Sequence, residues 1–224
     1  VELIAMPALA GLLIVVGVGT IKPSQVMAVA KTGKVPLTVM ATTFVLTLII
    51  PLQYAVLVGV GMSVVLFVIN QSTHLVTKRL IIHDDGGVEE VDPPDVVPAS
   101  EVVVLQPYGA IFFASVPELL EQMPSVTETS RHSVVILRMR GADDAGSTMI
   151  DMLDSYAGEL DAVDSKLMVV TDNQRVIRQL RVTGIADLIG QENIYEGTVF
   201  VGEASRRAYA DALDWIAERT ADQA

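Results

Sequence analysis

The sequence predicts a helical membrane segment followed by an acidic soluble domain of the α/β class, and three observations lead to this prediction. Charge is segregated along the 224 residues: residues 1–80 carry five basic residues and one acid, whereas residues 81–224 carry ten basic and 26 acidic residues. The first part contains long runs without charge, and the second alternates short apolar runs with helical periods. A hydrophobic share of 51% excludes a disordered or collagen-like chain, and the absence of cysteine excludes disulfides and thiol chemistry.

Three transmembrane helices are predicted within residues 1–80. The first apolar run has 19 uncharged residues, enough at about 1.5 Å per residue to cross a hydrocarbon core of about 30 Å. Between Lys34 and Lys78 lie 43 uncharged residues, enough for two crossings. Pro51 is expected to separate these two, because proline removes a backbone donor and clashes with the preceding turn. Small residues such as Gly59 permit close helix packing. The predicted spans are residues 3–21, 35–50 and 54–70.

The basic residues of this segment predict its orientation. Lys22, Lys31 and Lys34 flank a loop predicted between the first two spans, and Lys78 with Arg79 follows the third span. Three crossings therefore place both clusters on one side. By the positive-inside rule that side is cytoplasmic. We therefore expect a multi-pass protein of the plasma (inner) membrane whose acidic domain lies in the cytoplasm. The three spans contain no Asp, Glu, Lys or Arg, so the sequence shows no substrate site within them.

An acidic linker rich in proline and glycine is predicted at residues 81–100. Residues 83–100 contain paired glycines, three prolines and six acidic residues without apolar periodicity, which is typical of an extended tether. The second domain is therefore expected at residues 101–224.

The second domain is predicted to contain a sheet covered by amphipathic helices. Short apolar runs rich in β-branched residues indicate strands, and apolar stripes at spacings of three and four indicate helices that pack one face on a sheet. Strands are predicted at residues 102–105, 109–114, 134–139, 167–170 and 198–201. The helical stripes are Val116, Leu119, Leu120 and Met123; Met149, Met152, Leu153, Tyr156 and Leu160; Val176, Ile177 and Leu180; and Tyr209, Ala212, Leu213 and Ile216. This alternation predicts an α/β layer with right-handed crossovers between parallel strands.

Four segments, taken in order, resemble the C-terminal part of the SulP (SLC26-type) anion permeases. Residues 7–17 (PALAGLLIVVG) and 51–68 (PLQYAVLVGVGMSVVLFV) are similar to the late membrane helices of that family. Residues 142–153 (ADDAGSTMIDML) and 180–195 (LRVTGIADLIGQENIY) resemble segments of its cytosolic STAS domain (sulfate transporter and anti-sigma factor antagonist). The resemblance implies that residues 101–224 form a STAS domain with a mixed sheet flanked by helices.

The resemblance also implies a function, the C-terminal portion of a secondary active transporter for sulfate or a related oxyanion or bicarbonate. Transport would be symport with protons or sodium, the STAS domain would regulate or assemble the transporter, and the protein would be a homodimer without enzyme activity. By the same resemblance, the substrate-binding residues would lie in helices upstream of Val1. The chain begins without methionine and is expected to be an internal fragment. An alternative stays open: a membrane-tethered STAS interaction module that binds a cytosolic protein or a nucleotide and does not transport.

A STAS regulatory loop is expected, by the same resemblance, just before the second helical stripe. The loop consists of Asp143, Asp144, Ala145, Gly146, Ser147 and Thr148. In soluble anti-sigma factor antagonists a Ser or Thr directly before the glycine of a D-x-[ST]-G pattern is phosphorylated, but Ala145 stands at that position and has no hydroxyl. Ser147 and Thr148 are expected to cap the following helix rather than to accept phosphate. The spacing of a glycine-rich phosphate loop does not occur, so nucleotide binding rests on family analogy alone.

A basic stripe is formed by Arg175, Arg178 and Arg181, which follow one another at three-residue spacing on a predicted helix. One interpretation is a solvated face that offsets nearby acids. The other is docking to an acidic cytosolic protein, which family analogy suggests, or to anionic membrane lipid.

Other ligand classes find little support in the sequence. A net charge of -16 in residues 81–224 argues against nucleic acid, whose binding depends on neutralising phosphates with Lys and Arg. His74, His83 and His132 are scattered and lack the spacing of metal ligands, so neither a metal nor another cofactor is expected.

Overall fold

The computed structural model describes residues 2–72, 75–83, 87–197 and 202–221. The chain divides into two compact units, Val1–Phe67 and Val68–Ala224. His74 and the strand predicted at residues 198–201 lie outside the described residues.

The first unit is helical, and its helices break where proline or glycine requires it. The helices are α1 (Glu2–Thr20), α2 (Pro23–Thr32), α3 (Lys34–Ile49) and α4 (Leu52–Ser72), the last of which ends in the second unit. The predicted break at Pro51 is confirmed: Ile50 is extended at φ -121° and ψ 158°, and the Pro51 carbonyl accepts the first hydrogen bond of α4 from the Tyr54 N–H at 3.0 Å. α3 and α4 approach closely, because a Cβ on Gly59 would lie 2.7 Å from the Thr43 hydroxyl oxygen.

The segment between the first two predicted spans is a helix, whereas the sequence interpretation placed a loop there. α2 begins at Pro23, whose fixed φ suits the first helical position, and it ends where Gly33 adopts a φ of +151°. The lysines that suggested a loop are tolerated because Lys22 precedes α2 and Lys31 lies in its last turn, where a positive charge favours the helix dipole.

The prediction of three transmembrane helices is not confirmed. Among the described helices, one is long and apolar enough to cross a membrane by itself, over Leu52–Ile69 in α4. α1 and α2 are bent by 44° at their junction and qualify as a second span only when taken together. α3 has 16 residues, about 24 Å as a helix, which is shorter than a hydrocarbon core of about 30 Å. The structure therefore supports one or two spans.

The second unit contains a mixed sheet, as predicted. The strands are β1 (Val76–Ile82), β2 (Val88–Val91), β3 (Val102–Tyr108), β4 (Val134–Arg138), β5 (Lys166–Thr171) and β6 (Ile194–Glu196). Their order in the sheet is β2-β1-β3-β4-β5-β6. β1 pairs antiparallel with β2 and β3, whereas β3, β4, β5 and β6 are parallel to one another.

The predicted linker was wrong in part, because β2 and the last two residues of β1 lie within residues 81–100, and the rest of β1 occupies the end of the predicted transmembrane segment. β1 lies between β2 and β3, with Leu80 opposite Val104, and β2 lies within residues 81–100. Sequence reasoning missed these strands because Lys78 and Arg79 interrupt the apolar pattern. Their charges are met by Asp92 at 2.7 Å and by Glu101 at 2.9 Å. The sheet therefore begins before residue 101.

Helices cover both faces of the sheet and bury two separate apolar clusters. α5 (Val116–Glu121), α6 (Ser147–Asp161), α7 (Gln174–Val182) and α8 (Ile185–Ile189) pack on one face, and α9 (Glu203–Ala221) packs on the other. The alternation along β4 shows the division, since Val135 and Leu137 join the first cluster while Val134 and Ile136 join the second. α9 approaches the sheet through small side chains such as Ala208 and Ala212, both fully buried.

Most of the predicted elements are present, with three differences. Residues 109–114 are turns and not a strand, and β3 instead continues through Pro107. Pro107 lies beyond the last pairing of β3 with β4 at Leu105, and Thr77, its partner in β1, donates its N–H to the Gln122 side chain, so a proline is tolerated here. α8 and β6 were not predicted because each is very short. Two residues of the predicted stripes, Leu120 and Leu213, are about half exposed.

The stability of the second unit is expected to fall in alkaline solution. Burial raises the pKa of Tyr195, whose hydroxyl also donates to Asp211 at 2.7 Å, and burial raises the pKa of Tyr156. Above about pH 10 an unfolded tyrosine loses its proton while these two keep theirs, so unfolding becomes more favourable. Urea midpoints between about pH 8 and 11 should decrease, and Tyr195→Phe should flatten the decrease. An unchanged pH dependence in Tyr195→Phe would mean that Tyr195 ionises normally in the native state.

Candidate functional site: the loop between β4 and α6

The expected regulatory loop lies at the carboxyl end of the parallel strands, where β4 leads into α6. The turn out of β4 needs glycine, because Gly141 has a φ of +78°. Ala142 and Ala145 are buried in the core, at 1% and 3% exposure, whereas Asp143 between them is exposed. Two alanines thus fix the loop to the domain and leave its first carboxylate in solvent.

Asn173 joins this loop to the start of α7. Its side-chain amide donates to the carbonyl oxygens of Ala142, at 3.0 Å, and Asp143, at 3.3 Å. Its side-chain oxygen accepts the Arg175 N–H at 2.9 Å and caps α7. Asn173 therefore caps the N-terminus of α7 and also hydrogen-bonds two carbonyl oxygens of the loop.

A second set of contacts brings the predicted loop and the predicted basic stripe together. The Ala145 N–H donates to the side-chain oxygen of Gln179 at 3.0 Å, and the Gln179 amide donates to Asp144. The other carboxylate oxygen of Asp144 lies 3.2 Å from a guanidinium nitrogen of Arg175. Both partners of this ion pair are well exposed, so its contribution to stability is small, about 0 to 1 kcal/mol.

The remaining arginines of the stripe do not join this network. Arg178 and Arg181 are exposed, and the ion pairs formed within the described parts of the chain involve neither of them. Both stay at the surface of α7.

The expected capping of α6 by Ser147 or Thr148 was wrong. The N-cap is Gly146, extended at φ -62° and ψ 169°, and it has no side chain with which to cap. The Gly146 carbonyl accepts the Met149 N–H at 2.9 Å and the Ile150 N–H at 3.0 Å. Ser147 is consequently the first helical residue, and its side chain is exposed to solvent.

Two residues of this network, Asn173 and Gln179, were missed in the sequence analysis. An Asn directly before a helical apolar stripe is a capping signal, so Asn173 could have been found. Gln179 has no such signal, because its contact with Ala145 depends on how α7 packs beside the loop. The described residues contain no group of three or more His, Cys, Asp or Glu that could hold a metal ion.

Replacing Gln179 with Ala is expected to loosen the loop. The substitution leaves the Ala145 N–H without its acceptor and Asp144 without its amide donor, at a cost of about 1 to 2 kcal/mol. Hydrogen exchange measured by mass spectrometry should show faster exchange at residues 142–146. Arg178→Ala, a truncation on the exposed side of α7, is the matched control and should leave exchange unchanged. Equal exchange in the two variants would contradict the bonding described above.

Comparisons with known proteins agree with this fold. Residues 93–199 match the STAS domain family. The solved structure of SLC26A9 matches 84% of this chain with a TM-score of 0.61 at 15% sequence identity, over 32% of that chain. The structure of murine Solute Carrier 26 family member A9, an anion transporter in the inward-facing state, matches 82% of this chain with a TM-score of 0.59 at 17% identity, over 30% of that chain. A comparison with curated protein sequences gives no match.

The family match identifies the class of domain, and the structural matches compare the chain with part of larger proteins. Residues 93–199 are a STAS domain. The resemblance to the C-terminal part of SulP-type proteins is confirmed at the level of the fold, and this chain spans about a third of the length of the solved chains that it matches.

Proposed function

We propose that this chain is the C-terminal portion of a secondary active anion transporter, in which it supplies membrane helices and a cytosolic, non-enzymatic STAS domain. The observation that carries the proposal is the extent of the structural match. The share of the chain that matches SLC26A9, 84%, is larger than the second unit alone, so the match includes helices of the first unit. A free-standing STAS domain would match only over the sheet and its helices.

The surface of the first unit supports insertion in a membrane. Large apolar side chains on all four of its helices are exposed, among them Leu13 at 70%, Ile49 at 73% and Leu57 at 68%. Apolar surface of this extent is unfavourable in water and is suited to lipid or to further helices. We place the substrate-binding residues in helices upstream of Val1, and we propose sulfate, a related oxyanion or bicarbonate as the substrate.

The remaining details of the proposal follow the family resemblance. Transport would be coupled to protons or sodium, the protein would form a homodimer in the plasma membrane, and the exposed Arg178 and Arg181 would offer a docking site for an acidic cytosolic protein.

Uptake into proteoliposomes tests the transport function. Radiolabelled sulfate and bicarbonate uptake would be compared between the protein with its upstream helices and the same protein ended after Ser72. The cut belongs after Ser72 because a cut at residue 100 would leave β1 and β2 without β3. We expect uptake by the longer protein and reduced uptake, or reduced membrane insertion, after the truncation.

The alternative function makes the opposite prediction. A membrane-tethered interaction module would show no uptake of either ion in protein that is folded and inserted. That result would reject the transport proposal for both ions and favour the module.

A further inference from the structure

One edge of the sheet collects exposed apolar and aromatic side chains. β1 begins at this edge and β3 ends there, because Val76 pairs antiparallel with Tyr108. Val76 is 49% exposed, Tyr108 is 44% exposed, and Phe113 in the turn after β3 is 67% exposed. Phe113 is held by an edge-to-face contact with Phe112, with ring centroids 5.5 Å apart.

Two arginines that pair with no acidic residue in the described part of the chain lie at the same edge. β4 runs parallel to β3, so it ends at this edge with Arg138, and Arg140 follows in the next turn. In the described ranges of the chain, the basic members of the ion pairs are Lys78, Arg79, His83 and Arg175, and neither Arg138 nor Arg140 is among them. Burial lowers the pKa of Arg138, and the positive charge of Arg140, two residues along the chain, lowers it further.

This pairing is unusual in a domain with 26 acidic residues, since acidic partners are plentiful. Glu90 accepts the hydroxyl hydrogen of Tyr108, and Asp143 is exposed in the loop described above; neither forms an ion pair with Arg138 or Arg140 in the described parts of the chain. Two arginines that form no ion pair with the described acidic residues favour an anionic ligand that brings its own oxygens.

The same edge is tied to α4 by a very short stretch of chain. Three residues separate Ser72, the last residue of α4, from Val76, the first residue of β1. Four residue steps span at most about 14 Å even when fully extended. If α4 crosses the membrane, the start of β1 therefore cannot lie far from the lipid headgroups.

We propose that Val76, Tyr108, Phe113, Arg138 and Arg140, called here the basic edge, dock on the anionic lipid headgroups of the cytoplasmic leaflet. The arginines bind phosphate and carboxylate oxygens, and the aromatic rings lie at headgroup depth, where aromatic side chains are favoured. This inference rests on the proposed membrane insertion of α4. Because the rest of the domain is acidic, it is repelled by such a surface, and the basic edge sets which side of the domain faces it.

Site-specific fluorescence on the full chain tests this docking, because the chain has no cysteine of its own. A polarity-sensitive label on Phe113→Cys would be read in lipid nanodiscs with and without phosphatidylserine, together with quenching by spin-labelled lipid. A label on Leu57→Cys in α4 reports membrane insertion, and a label on Glu128→Cys, in the turn that precedes the opposite end of β4, reports a surface outside the basic edge.

We expect the Phe113 label to be quenched more strongly when phosphatidylserine is present, while the Glu128 label stays unquenched. Arg140→Gln should lower the ratio of docked to undocked protein about fivefold. Adding Arg138→Gln should lower this ratio about fivefold again. The matched control, Arg178→Gln with Arg181→Gln, removes two exposed charges outside the basic edge and should leave the quenching unchanged. The emission of Trp215 verifies that each variant is folded.

Three results would overturn the proposal. Quenching of the Leu57 label without lipid-dependent quenching of the Phe113 label would reject docking and leave the membrane function intact. The absence of quenching at Leu57 would reject membrane insertion, and docking with it. A response of the Phe113 label to inorganic phosphate in zwitterionic nanodiscs, equal to the response to phosphatidylserine, would assign the arginines to a free anion instead of lipid.

Discussion

Leu153→Asp is expected to unfold the STAS domain. Leu153 is fully buried on α6, within the apolar cluster between the sheet and helices α5 to α8. The substitution removes a buried leucine, which costs about 2 to 5 kcal/mol, and it places a carboxylate within an apolar cluster. The sum approaches the whole stability of a typical domain, about 5 to 15 kcal/mol.

Tryptophan fluorescence measures this effect in the full chain, because Trp215 is the only tryptophan. Trp215 lies on α9, with Lys166 4.8 Å and Arg219 5.1 Å from its ring centre, so its emission reports the second unit. Urea titrations should show a cooperative transition in the parent protein and an unfolded signal without urea in Leu153→Asp. Ser155→Asp, on the exposed face of the same helix, is the matched control and should cost only a few tenths of a kcal/mol. If Leu153→Asp and Ser155→Asp both had the same urea midpoint as the parent protein, Leu153 would not be buried as described.

A domain that starts at residue 101 is expected not to fold, whereas one that starts at residue 75 should fold. The shorter piece lacks β1, the antiparallel partner of β3 from Val76 to Leu80. It also lacks Leu75, Leu80 and Val97, which are 2%, 6% and 1% exposed, and each contributes about 2 kcal/mol by burial. Removal of a central strand together with three core side chains exceeds what a domain of this size tolerates.

Size-exclusion chromatography and Trp215 emission of the two pieces provide the measurement. A third piece starting at residue 93, where the STAS family match begins, retains Val97 and lacks β1 and β2, so it isolates the contribution of the two strands. A cooperative urea transition in the piece that starts at residue 101 would show that β1 and β2 are dispensable, and the boundary predicted from the sequence would then be adequate.

The elements that could be predicted from sequence are those with a long apolar pattern that no charged residue interrupts. The stripe from Met149 to Leu160 is buried at every predicted position, and the apolar run of β4 forms a strand as expected. β1 escaped prediction because Lys78 and Arg79 take part in ion pairs at a partly exposed surface, which an apolar pattern does not reveal.

Part of the candidate site was predicted from the sequence, but Asn173, Gln179 and the contacts that join the site were not. Asp144 and Arg175 were both singled out, yet they are 31 positions apart in the chain. Their meeting depends on the parallel register of β4 and β5, which brings the loop after one strand beside the helix after the other. Local sequence cannot supply that register, nor the position of Gly146 as the N-cap of α6.

The two outermost strands of the sheet, β2 and β6, limit how copies of this domain can assemble. β2 has four residues, of which Glu89 and Glu90 are acidic, and β6 has three residues and ends at Glu196. Such short strands offer few free backbone groups, and a second copy added to β2 would bring carboxylates next to carboxylates. Continuous β-augmentation between two domains is therefore disfavoured, and pairs of these domains are expected to meet through helices or loops.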